Sequence, residues 1–342
     1  MKFAKNADID FAFFNNRNLI LKCSIMNNAP ILITAYNRYT NFKKLLRFTN
    51  FYKAKIYISI DGPRNDFDKD QQNKMVNLIE KLKKNYNVKY RILDKNLGCQ
   101  GATFSSLDWF FDQEKKGIIL EDDNLPSVSF FEFCNESLTK YSKEKNIFSI
   151  SGYNPFKKID INSDYFFSNY FMSWGWATWR SRWLIVKKFT PQNKWKKLLK
   201  SKEWSFFLDN NIKKRYFNKI YNLIKSNKID SWAFLWMLIG VSNGSKFIIP
   251  KHNLIKNTGT QTHGANYTPS NFEYSNFKTV QFKIKHHPKK NSHNKKLDTL
   301  LFYHNYRPKN HLYPWRIIFI LKSLLFDTKF FFTKLVIFIK KY

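Results

Sequence analysis

The sequence predicts an α/β fold, with a mostly parallel sheet flanked by helices and an amphipathic helix at the C-terminus. In residues 30–150, short apolar runs alternate with longer segments of helical periodicity, and one apolar run leads directly into three acidic residues. Strands separated by helices pair in parallel, because a helical crossover returns the chain to the same end of the sheet. Hydrophobic residues make up 43% of the chain, which is enough to bury a sizeable core.

Four strands and three helices are predicted in the first half of the chain. The strands end at turn-forming or acidic residues, and the helices carry apolar residues at helical spacing. The predicted strands are 30–35, 54–60, 88–93 and 117–120, and the predicted helices are 39–50, 68–84 and 102–112. Their strict alternation is the pattern of repeated strand–helix units.

The second half of the sequence is less regular. Its predicted strands are 148–151 and 246–249, and its predicted helices are 211–226 and 231–242. Residues 252–269 are rich in Asn, Thr and Gly, which predicts a loop. Residues 271–311 are polar and basic with little periodicity, so we expect a poorly packed basic tail.

The C-terminal segment 312–342 is predicted to form an amphipathic helix on a membrane surface. Charged residues interrupt its apolar stretches, so no run reaches the roughly 20 residues needed to span a bilayer. On a helical wheel these charges share one side, and Leu and Phe side chains occupy the other. The preceding segment is basic, and Tyr313 and Trp315 suit an interface, which favours an anionic membrane surface as partner. The alternative is a helix that packs its apolar stripe on the domain.

The chain is strongly basic. Its 342 residues include 59 Lys and Arg against 25 Asp and Glu, a formal net charge of +34. An anionic membrane, a nucleic acid or a phosphorylated substrate would all suit this charge. Three cysteines without metal-ligand spacing predict no disulfide framework and favour a reducing compartment. The N-terminal residues lack a clean apolar region, so we expect no cleaved signal peptide.

The most informative local feature is the triplet Glu121-Asp122-Asp123, which follows the fourth predicted strand. Ligands of open α/β sheets bind outside the carboxyl ends of the strands. Adjacent acids repel one another unless a cation or a hydrogen-bond donor neutralises them, and carboxylate oxygens suit Mg²⁺ or Mn²⁺ bridging to a diphosphate. A solvated acidic turn is the alternative interpretation.

Several motifs follow one another between about Pro30 and about His263. They are Pro30–Arg38, Asp61–Arg64, Asn96–Gly98, Glu121–Asp123, Ser173–Trp183, Asp230–Trp236, Asn243-Gly244, Pro250 and Asn257–Gly259. This order resembles the GT-A-fold glycosyltransferases, and looks closest to the bacterial sugar transferases related to the Golgi N-acetylglucosaminyltransferase that starts complex N-glycans. In that group a Glu-Asp-Asp triplet takes the place of the usual Asp-X-Asp motif. The resemblance implies a Rossmann-like GT-A fold.

The resemblance also implies a division of the chain. Residues 30–150 would form the nucleotide-sugar-binding half of the GT-A domain, and residues 151–270 the acceptor-binding half. An N-terminal extension, 1–29, would precede them. The basic tail, 271–311, and the amphipathic membrane-associated helix, 312–342, would follow.

On the donor side, the resemblance implies that Asp123 coordinates Mn²⁺ or Mg²⁺, supported by Glu121 and Asp122 through water or sugar hydroxyls. The metal would neutralise the diphosphate leaving group. Asp61 would accept a hydrogen bond from the nucleotide base, and Arg38 would reach the nucleotide or its phosphates. The other expected contacts to the nucleotide-sugar are Thr34, Tyr36, Asn37, Asn96 and Gly98. A helix-capping surface arginine and plain turn-formers are the alternatives for Arg38, Asp61 and Asn96–Gly98.

An inverting transferase needs a carboxylate to take the proton of the acceptor hydroxyl. Asp230 is the candidate base, and the alternative is that it caps the helix that follows it. Some relatives place an acid in a Trp-Asp-Tyr arrangement where this chain has Ala233. This departure leaves the base, and with it the inverting stereochemistry, open.

Two further groups of residues are candidates. Trp174, Trp176 and Trp179 suit a platform for the acceptor sugar, since indole faces stack on pyranose rings. Core packing is their alternative. His263 would complete the metal shell or touch a phosphate, and its alternative is a solvent-exposed loop residue.

The resemblance implies a metal-dependent hexosyl- or N-acetylhexosaminyltransferase at the cytoplasmic side of the inner membrane, bound peripherally. Its donor would be a UDP-sugar and its acceptor a surface polysaccharide or a lipid-linked oligosaccharide. No nucleic-acid partner is expected, and no oligomeric state is predicted. The sequence shows no Ser/His/Asp arrangement or Walker-type loop, which argues against hydrolase and ATPase functions.

Two other functions compete with this hypothesis. A nucleotidyltransferase usually carries a Gly-rich signature near its N-terminus, and Pro30–Arg38 has no glycine. A non-enzymatic basic protein that binds RNA or membranes would explain the charge. It would not explain why acids cluster at the end of a strand.

Overall fold

An eight-stranded mixed sheet forms the centre of the protein in a computed structural model that describes residues 28–49, 52–189, 194–259, 278–289, 293–314 and 317. The strands are β1 (Ile31–Ala35), β2 (Ile56–Ile60), β3 (Val88–Ile92), β4 (Lys116–Glu121), β5 (Asn124–Pro126), β6 (Ile147–Ser151), β7 (Tyr165–Ser168), β8 (Trp176–Trp179), β9 (Lys246–Pro250) and β10 (Ile255–Asn257). The sheet has the order β3-β2-β1-β4-β8-β6-β9-β7, and β5 pairs with β10 in a separate antiparallel ribbon.

Most strands of the sheet run in the same direction. Strands β1 to β4 pair in parallel, as do β6 and β9. Only β8 and β7 are reversed among the strands of this sheet, because β8 is antiparallel to both β4 and β6, and β7 is antiparallel to β9. The prediction of an α/β fold with a mostly parallel sheet is confirmed.

Helices flank the sheet. They are α1 (Tyr39–Thr49), α2 (Asp66–Lys83), α3 (Gly98–Gln113), α4 (Val128–Lys140), α5 (Arg180–Phe189), α6 (Trp195–Leu199), α7 (Lys202–Phe207), α8 (Asn211–Lys225), α9 (Trp232–Ser242) and α10 (Lys295–Leu301). A π-helical turn, Phe302–Tyr306, and a 3₁₀ turn, Pro308–Asn310, follow α10. Side chains at the N-terminal ends fix several helix starts: Asn65 caps α2, Ser127 caps α4 and Ser231 caps α9.

Two apolar clusters lie on the two faces of the sheet. Successive strand residues point to opposite faces, so Leu32 belongs to one cluster while Ile31 and Ile33 belong to the other. Helix α9 is apolar all round and almost entirely buried, as expected of a helix inside a core.

The expectation of a poorly packed tail at 271–311 is wrong for the part around Asp298, whereas residues 278–289 are mostly exposed. Leu297, Leu301 and Phe302 are buried in the core. The carboxylate of Asp298 is also buried, and it accepts hydrogen bonds from the Ser168 hydroxyl at 2.5 Å and the Asn169 backbone amide at 3.1 Å. Local periodicity did not reveal this packing, because the segment buries few residues of its own and docks through contacts distant in sequence.

Several elements were not predicted from the sequence. Strand β10 lies within the predicted loop 252–269, and β5 and α4 follow the acidic triplet directly. Both strands of this ribbon have only three residues, which is too short for a periodic signal.

The N-terminal extension and nearly all of the predicted C-terminal amphipathic helix lie outside the described residues. Among the helices that the structure describes, none is long and apolar enough to cross a membrane.

Candidate active site at the carboxyl edge of the sheet

The carboxyl ends of β1 and β4 bring two predicted motifs together. Thr34 lies opposite Glu121 in the parallel register, and its backbone carbonyl accepts a hydrogen bond from the Asp122 amide at 3.0 Å. One residue beyond β1, the Tyr36 backbone amide donates to Oδ2 of Asp122 at 3.2 Å. The sheet therefore places Thr34–Arg38 directly beside the acidic triplet.

Arg38 binds two of the three acids. Its Nη2 lies 2.9 Å from Oδ1 of Asp122, and its Nη1 donates to Oδ2 of Asp123. Both carboxylates are buried, whereas the Arg38 side chain is 30% exposed. Although burial opposes it, the charges of Asp122 and Asp123 raise the pKa of Arg38 further above its ordinary value. The structure thus gives Arg38 a role that the alternative of a helix-capping surface residue does not describe.

One arginine does not balance three carboxylates. Burial, together with the charge of Asp123, raises the pKa of Glu121 to about 8. Burial raises the pKa of Asp122 to about 6, with Arg38 opposing the rise. A further cation beside the triplet would favour the ionised carboxylates, because it would offset both the burial and their mutual repulsion.

The short β5–β10 ribbon covers the triplet with Asn257, Thr258 and Gly259. The Asn257 side-chain amide donates to Oδ1 of Asp123 at 3.3 Å, and the Thr258 backbone amide donates to the Asp123 carbonyl at 2.8 Å. Gly259 passes so close that a Cβ there would overlap Oδ2 of Asp123. The predicted motif Asn257–Gly259 therefore packs on the predicted metal-binding residue.

Asn124 is a site residue that the sequence analysis missed. Its side-chain amide donates to Oδ1 of Asp123 at 2.8 Å, and its Oδ1 accepts from the Gly175 backbone amide at 2.9 Å. It thereby joins the triplet to the segment that carries Trp174. Its position directly after Asp123 was the only sequence signal for it.

The donor chemistry at the triplet fits a divalent cation. Among the described residues, no three His, Cys, Asp or Glu side chains converge as a metal site. Mg²⁺ is commonly held by one or two carboxylates together with substrate phosphates, so a complete protein shell is not required. Asp123 and Asp122 can supply such carboxylates, since the single guanidinium of Arg38 faces both of them and Glu121 lies beside them. His263, the other predicted metal ligand, lies outside the described residues.

Asp61 organises the turn before α3. It is buried at the end of β2 and accepts from the backbone amides of Gly62 and Leu97, both at 2.9 Å, and from the Asn96 side chain at 3.0 Å. Burial raises the pKa of Asp61, while these backbone hydrogen bonds oppose the rise. Gly98 follows with a φ of +73°, which favours glycine. The turn-forming alternative is thus realised for Asp61 and Asn96, and contact with a nucleotide stays a prediction.

Tyr36 and Asn37 turn their side chains to Asp68, another residue that the sequence analysis missed. Asn37 donates to Oδ1 of Asp68 at 2.6 Å, and the Tyr36 hydroxyl donates to its Oδ2. Burial would raise the pKa of Asp68, but these hydrogen bonds hold it below its ordinary value. The available sequence signal was the helix start itself, where Asn65 accepts from the Asp68 amide.

Asp230 lies at the N-terminus of α3. Both of its carboxylate oxygens accept from the Gln100 backbone amide, at 3.0 and 3.1 Å. Ser231, and not Asp230, caps the following helix α9, so the helix-cap alternative is wrong for its own helix. A Cβ at Gly98 would lie 3.1 Å from Oδ2 of Asp230, so this carboxylate lies directly beside the Asn96–Gly98 turn.

The predicted tryptophan platform is wrong for two of its three residues. Trp176 and Trp179 are 1% and 5% exposed and belong to the core. Trp176 packs against Trp232 and Trp236, which leaves no ring face for a ligand. Trp174 is half-buried, lies 4.4 Å from the Tyr153 ring between centroids, and lines a cavity of about 290 Å³. Trp176 and Trp179 point to opposite faces of β8, and both faces of the sheet are covered, which a motif alone does not reveal.

No family model and no curated protein matches the chain. A mannosyltransferase, PcManGT from Pyrobaculum calidifontis in complex with GDP-Man and Mn²⁺, is similar in structure at 9% identity over 66% of this chain and 74% of that chain, with a TM-score of 0.37. The synthase of 4-diphosphocytidyl-2C-methyl-D-erythritol from Anaerococcus prevotii shares 12% identity over 54% and 84%, with a TM-score of 0.33. The glycosyltransferase GlyE of Streptococcus pneumoniae shares 13% identity over 52% and 40%, with a TM-score of 0.30. Likenesses this weak carry no functional conclusion, and the fold class rests on the sheet described above.

Proposed function

We propose that the protein is a metal-dependent glycosyltransferase that moves a sugar from a nucleotide-diphosphate sugar, with UDP as the nucleotide, to a saccharide acceptor. The observation that carries this proposal is the acidic triplet at the carboxyl end of β4, bound to Arg38 from β1 and covered by Asn257–Gly259. Ligands of α/β sheets bind at this edge. A basic chain that buries two adjacent acids at one strand end needs a reason for doing so.

Asp123 and Asp122 would hold Mn²⁺ or Mg²⁺, with Glu121 beside them. Such a cation, when bound, stabilises the negative charge that develops on a diphosphate leaving group. Arg38 is the protein's own cation at this edge, and its planar donors suit phosphate oxygens as well as carboxylates. Asp61, Asn96 and Gly98 would shape the turn against which the nucleotide lies.

Asp230 is the proposed base for the acceptor hydroxyl. It lies beside Gly98 in the turn at the start of α3. Each of its oxygens can accept more than one hydrogen bond, so the carboxylate can take a proton while the Gln100 amide still donates to it. A carboxylate in this position corresponds to the inverting outcome, which we propose with it.

The proposed acceptor is a surface polysaccharide or a lipid-linked oligosaccharide at the cytoplasmic side of the inner membrane. The net charge of +34 supports a peripheral position on an anionic surface. A groove of about 580 Å³ beside α8 adds to this support, since Arg215, Lys219 and Lys228 line it together with Tyr313. Tyr313 leads into the segment predicted to lie on the membrane.

The test is calorimetric titration of UDP into the full chain with Mn²⁺ present, repeated with a chelator and with Asp123→Asn. We expect binding that requires the metal and weakens at least about tenfold in the variant, because one ligand of the cation and its charge are lost. Asp70→Asn is the matched control, since Asp70 is an exposed residue of α2 paired with Lys74. Metal-independent binding, or equal loss in both variants, would contradict the proposal.

A nucleotidyltransferase would give the same binding result, so the reaction products must separate the two functions. A glycosyltransferase releases UDP from a UDP-sugar when an acceptor is supplied. A nucleotidyltransferase releases pyrophosphate from a nucleoside triphosphate and a sugar phosphate. Release of pyrophosphate alone would assign the site to the second function.

A further inference from the structure

A cavity of about 290 Å³ lies between α8, the start of α9, the residues before β8 and the π-helical turn. Twelve of its fifteen lining residues are aromatic or aliphatic, and none of the fifteen is charged. Its volume is near the lower end of ligand pockets, which hold roughly 300–1,000 Å³. The cavity can therefore take a group of limited size.

The lining offers little to a group rich in hydroxyls. Ser173, Ser231 and Asn305 are its only residues with small polar side chains. Tyr153, Tyr216 and Tyr306 also line the cavity, and the Tyr306 hydroxyl already contacts Sδ of Met237 at 3.4 Å. A hexose buried here would leave several hydroxyls without partners, at a cost in free energy for each. An apolar chain or ring buries its surface against such a lining without that cost.

Two walls of the cavity connect to the two parts of the active site. Ser231 lines it and directly follows Asp230, whose carboxylate lies at the start of α3. Trp174 lines it from the other side and precedes Gly175, whose amide is bonded to Asn124 beside Asp123. The cavity wall is therefore joined to the proposed base through one peptide bond and to Asp123 through Gly175 and Asn124.

We infer that this cavity binds an apolar group of the acceptor, close to the hydroxyl that reacts. The inference rests on the proposed function and narrows it to acceptors in which an alkyl or isoprenoid aglycone lies near the reacting sugar. A long free polysaccharide has no such group. The half-buried Ala233 and Ile220 form part of the wall, so their side chains set the width of the cavity.

The test compares octyl β-D-glucoside, kept below its micelle concentration, with methyl β-D-glucoside on the full chain, followed by tryptophan fluorescence. The two probes differ only in the apolar aglycone. We expect the octyl glycoside to bind at least about tenfold more tightly, since each added methylene that leaves water contributes to the affinity. Equal affinity of the two glycosides would overturn the inference.

Three variants test where the octyl group binds. Ala233→Phe fills the cavity and Ile220→Gln makes its wall polar, so each is expected to reduce octyl glucoside affinity about tenfold. Leu223→Gln is the matched control, because Leu223 is half-buried on the same helix but lines the basic groove instead. The inference fails if both cavity variants bind octyl glucoside as wild type does, or if the control loses as much affinity as they do. In either case the octyl group binds elsewhere, including to the C-terminal segment.

UDP titration of the same samples separates this inference from the proposed function. Metal-dependent UDP binding without a preference for the octyl glycoside would refute the cavity and leave the transferase proposal standing. A cavity-dependent preference without nucleotide binding would support the cavity and refute the transferase. Circular dichroism of each variant checks its folding, and Ile220→Gln serves if Ala233→Phe does not fold.

Discussion

Different forces stabilise the carboxyl edge of the sheet and the buried aromatic rings that pack around α9, which we call the aromatic layer. At the edge, Asp122 and Asp123 are fixed by an ion pair and by hydrogen bonds from residues far along the chain. In the layer, Trp176 and Trp236 pack ring against ring, with few polar atoms involved. The edge should therefore respond to charge and pH, and the layer to volume.

This difference explains how the two regions can coexist in one protein. Apolar burial is non-directional and scales with area, so the layer supplies stability without fixing charges. Buried carboxylates cost stability unless they are paired, and a site that keeps them must be supported from elsewhere. The aromatic layer is the part of the molecule that provides this support.

The largest expected effect is in the layer. Trp236 is fully buried between Phe148, Phe171 and Trp176, and Trp236→Ala removes its ring and leaves a cavity. We expect a loss of about 3–5 kcal/mol in the free energy of unfolding, measured by urea denaturation. The loss should be the same at pH 6 and pH 8, because no charge is involved.

Phe206→Ala provides the control for ring size, since Phe206 is 74% exposed. It should change stability by less than about 0.5 kcal/mol. If Trp236→Ala also lost less than about 0.5 kcal/mol of stability, the comparison would fail, because the aromatic layer would then not support the fold.

The next prediction tests whether the segment around Asp298 belongs to the core. Asp298→Ala removes the acceptor for Ser168, Asn169 and His293, the last at 2.6 Å. We expect a loss of about 2–4 kcal/mol, because buried donors are left without a partner. Thermal unfolding of the variant measures it. Asp70→Ala, at an exposed ion pair of 2.6 Å with Lys74, should lose less than about 0.5 kcal/mol. Equal losses of stability in the two variants would show that the segment around Asp298 is a loosely packed tail.

The smallest effect sharpens the comparison at the edge. The pKa of Glu121 is raised from 4.5 to about 8 by burial and by Asp123. A raised carboxyl pKa means that the stabilising form is protonated, so stability is highest below pH 4.5 and falls as the pH rises towards 8. Glu121→Gln removes this dependence. With a chelator present, we expect the variant to gain on the order of 2 kcal/mol over wild type at pH 8.

Urea denaturation between pH 5 and pH 9 measures the gain, which should shrink as the pH approaches 5. Parallel stability curves for wild type and Glu121→Gln would show that the edge does not carry the charge imbalance. Trp236→Ala, measured over the same range, is the contrasting variant from the aromatic layer.

The parts of the fold that the sequence predicted well are those with a local signal. Strands β1 to β4 and helices α1 to α3 lie within a few residues of their predicted positions, because apolar periodicity over a short window encodes them. The acidic triplet was located for the same reason, since it follows a continuous apolar strand. The three-residue strands β5 and β10 give no periodic signal and were missed.

Three particular residues show the limits of local reasoning. Trp176 and Trp179 are predicted at a ligand, but their strand points them into the core. The alternative that Asp230 caps the following helix is wrong, because Asp230 lies at the start of α3, 130 residues away in sequence, and its role as the base stays a prediction. Aromatic clusters and acids near helix starts have several common uses, and only the surrounding chain selects among them.

By itself, the sequence determined the α/β class, the run of parallel strands and the position of the acids at a strand end. Each of these depends on residues within about one element of each other, where periodicity and turn chemistry operate. The tertiary structure alone decided that Arg38 pairs with Asp122 and Asp123, that Asn257–Gly259 covers them, and that the segment around Asp298 completes the core. These contacts join residues at least 84 positions apart, and they form because buried carboxylates and apolar faces must find partners wherever the folded chain brings them.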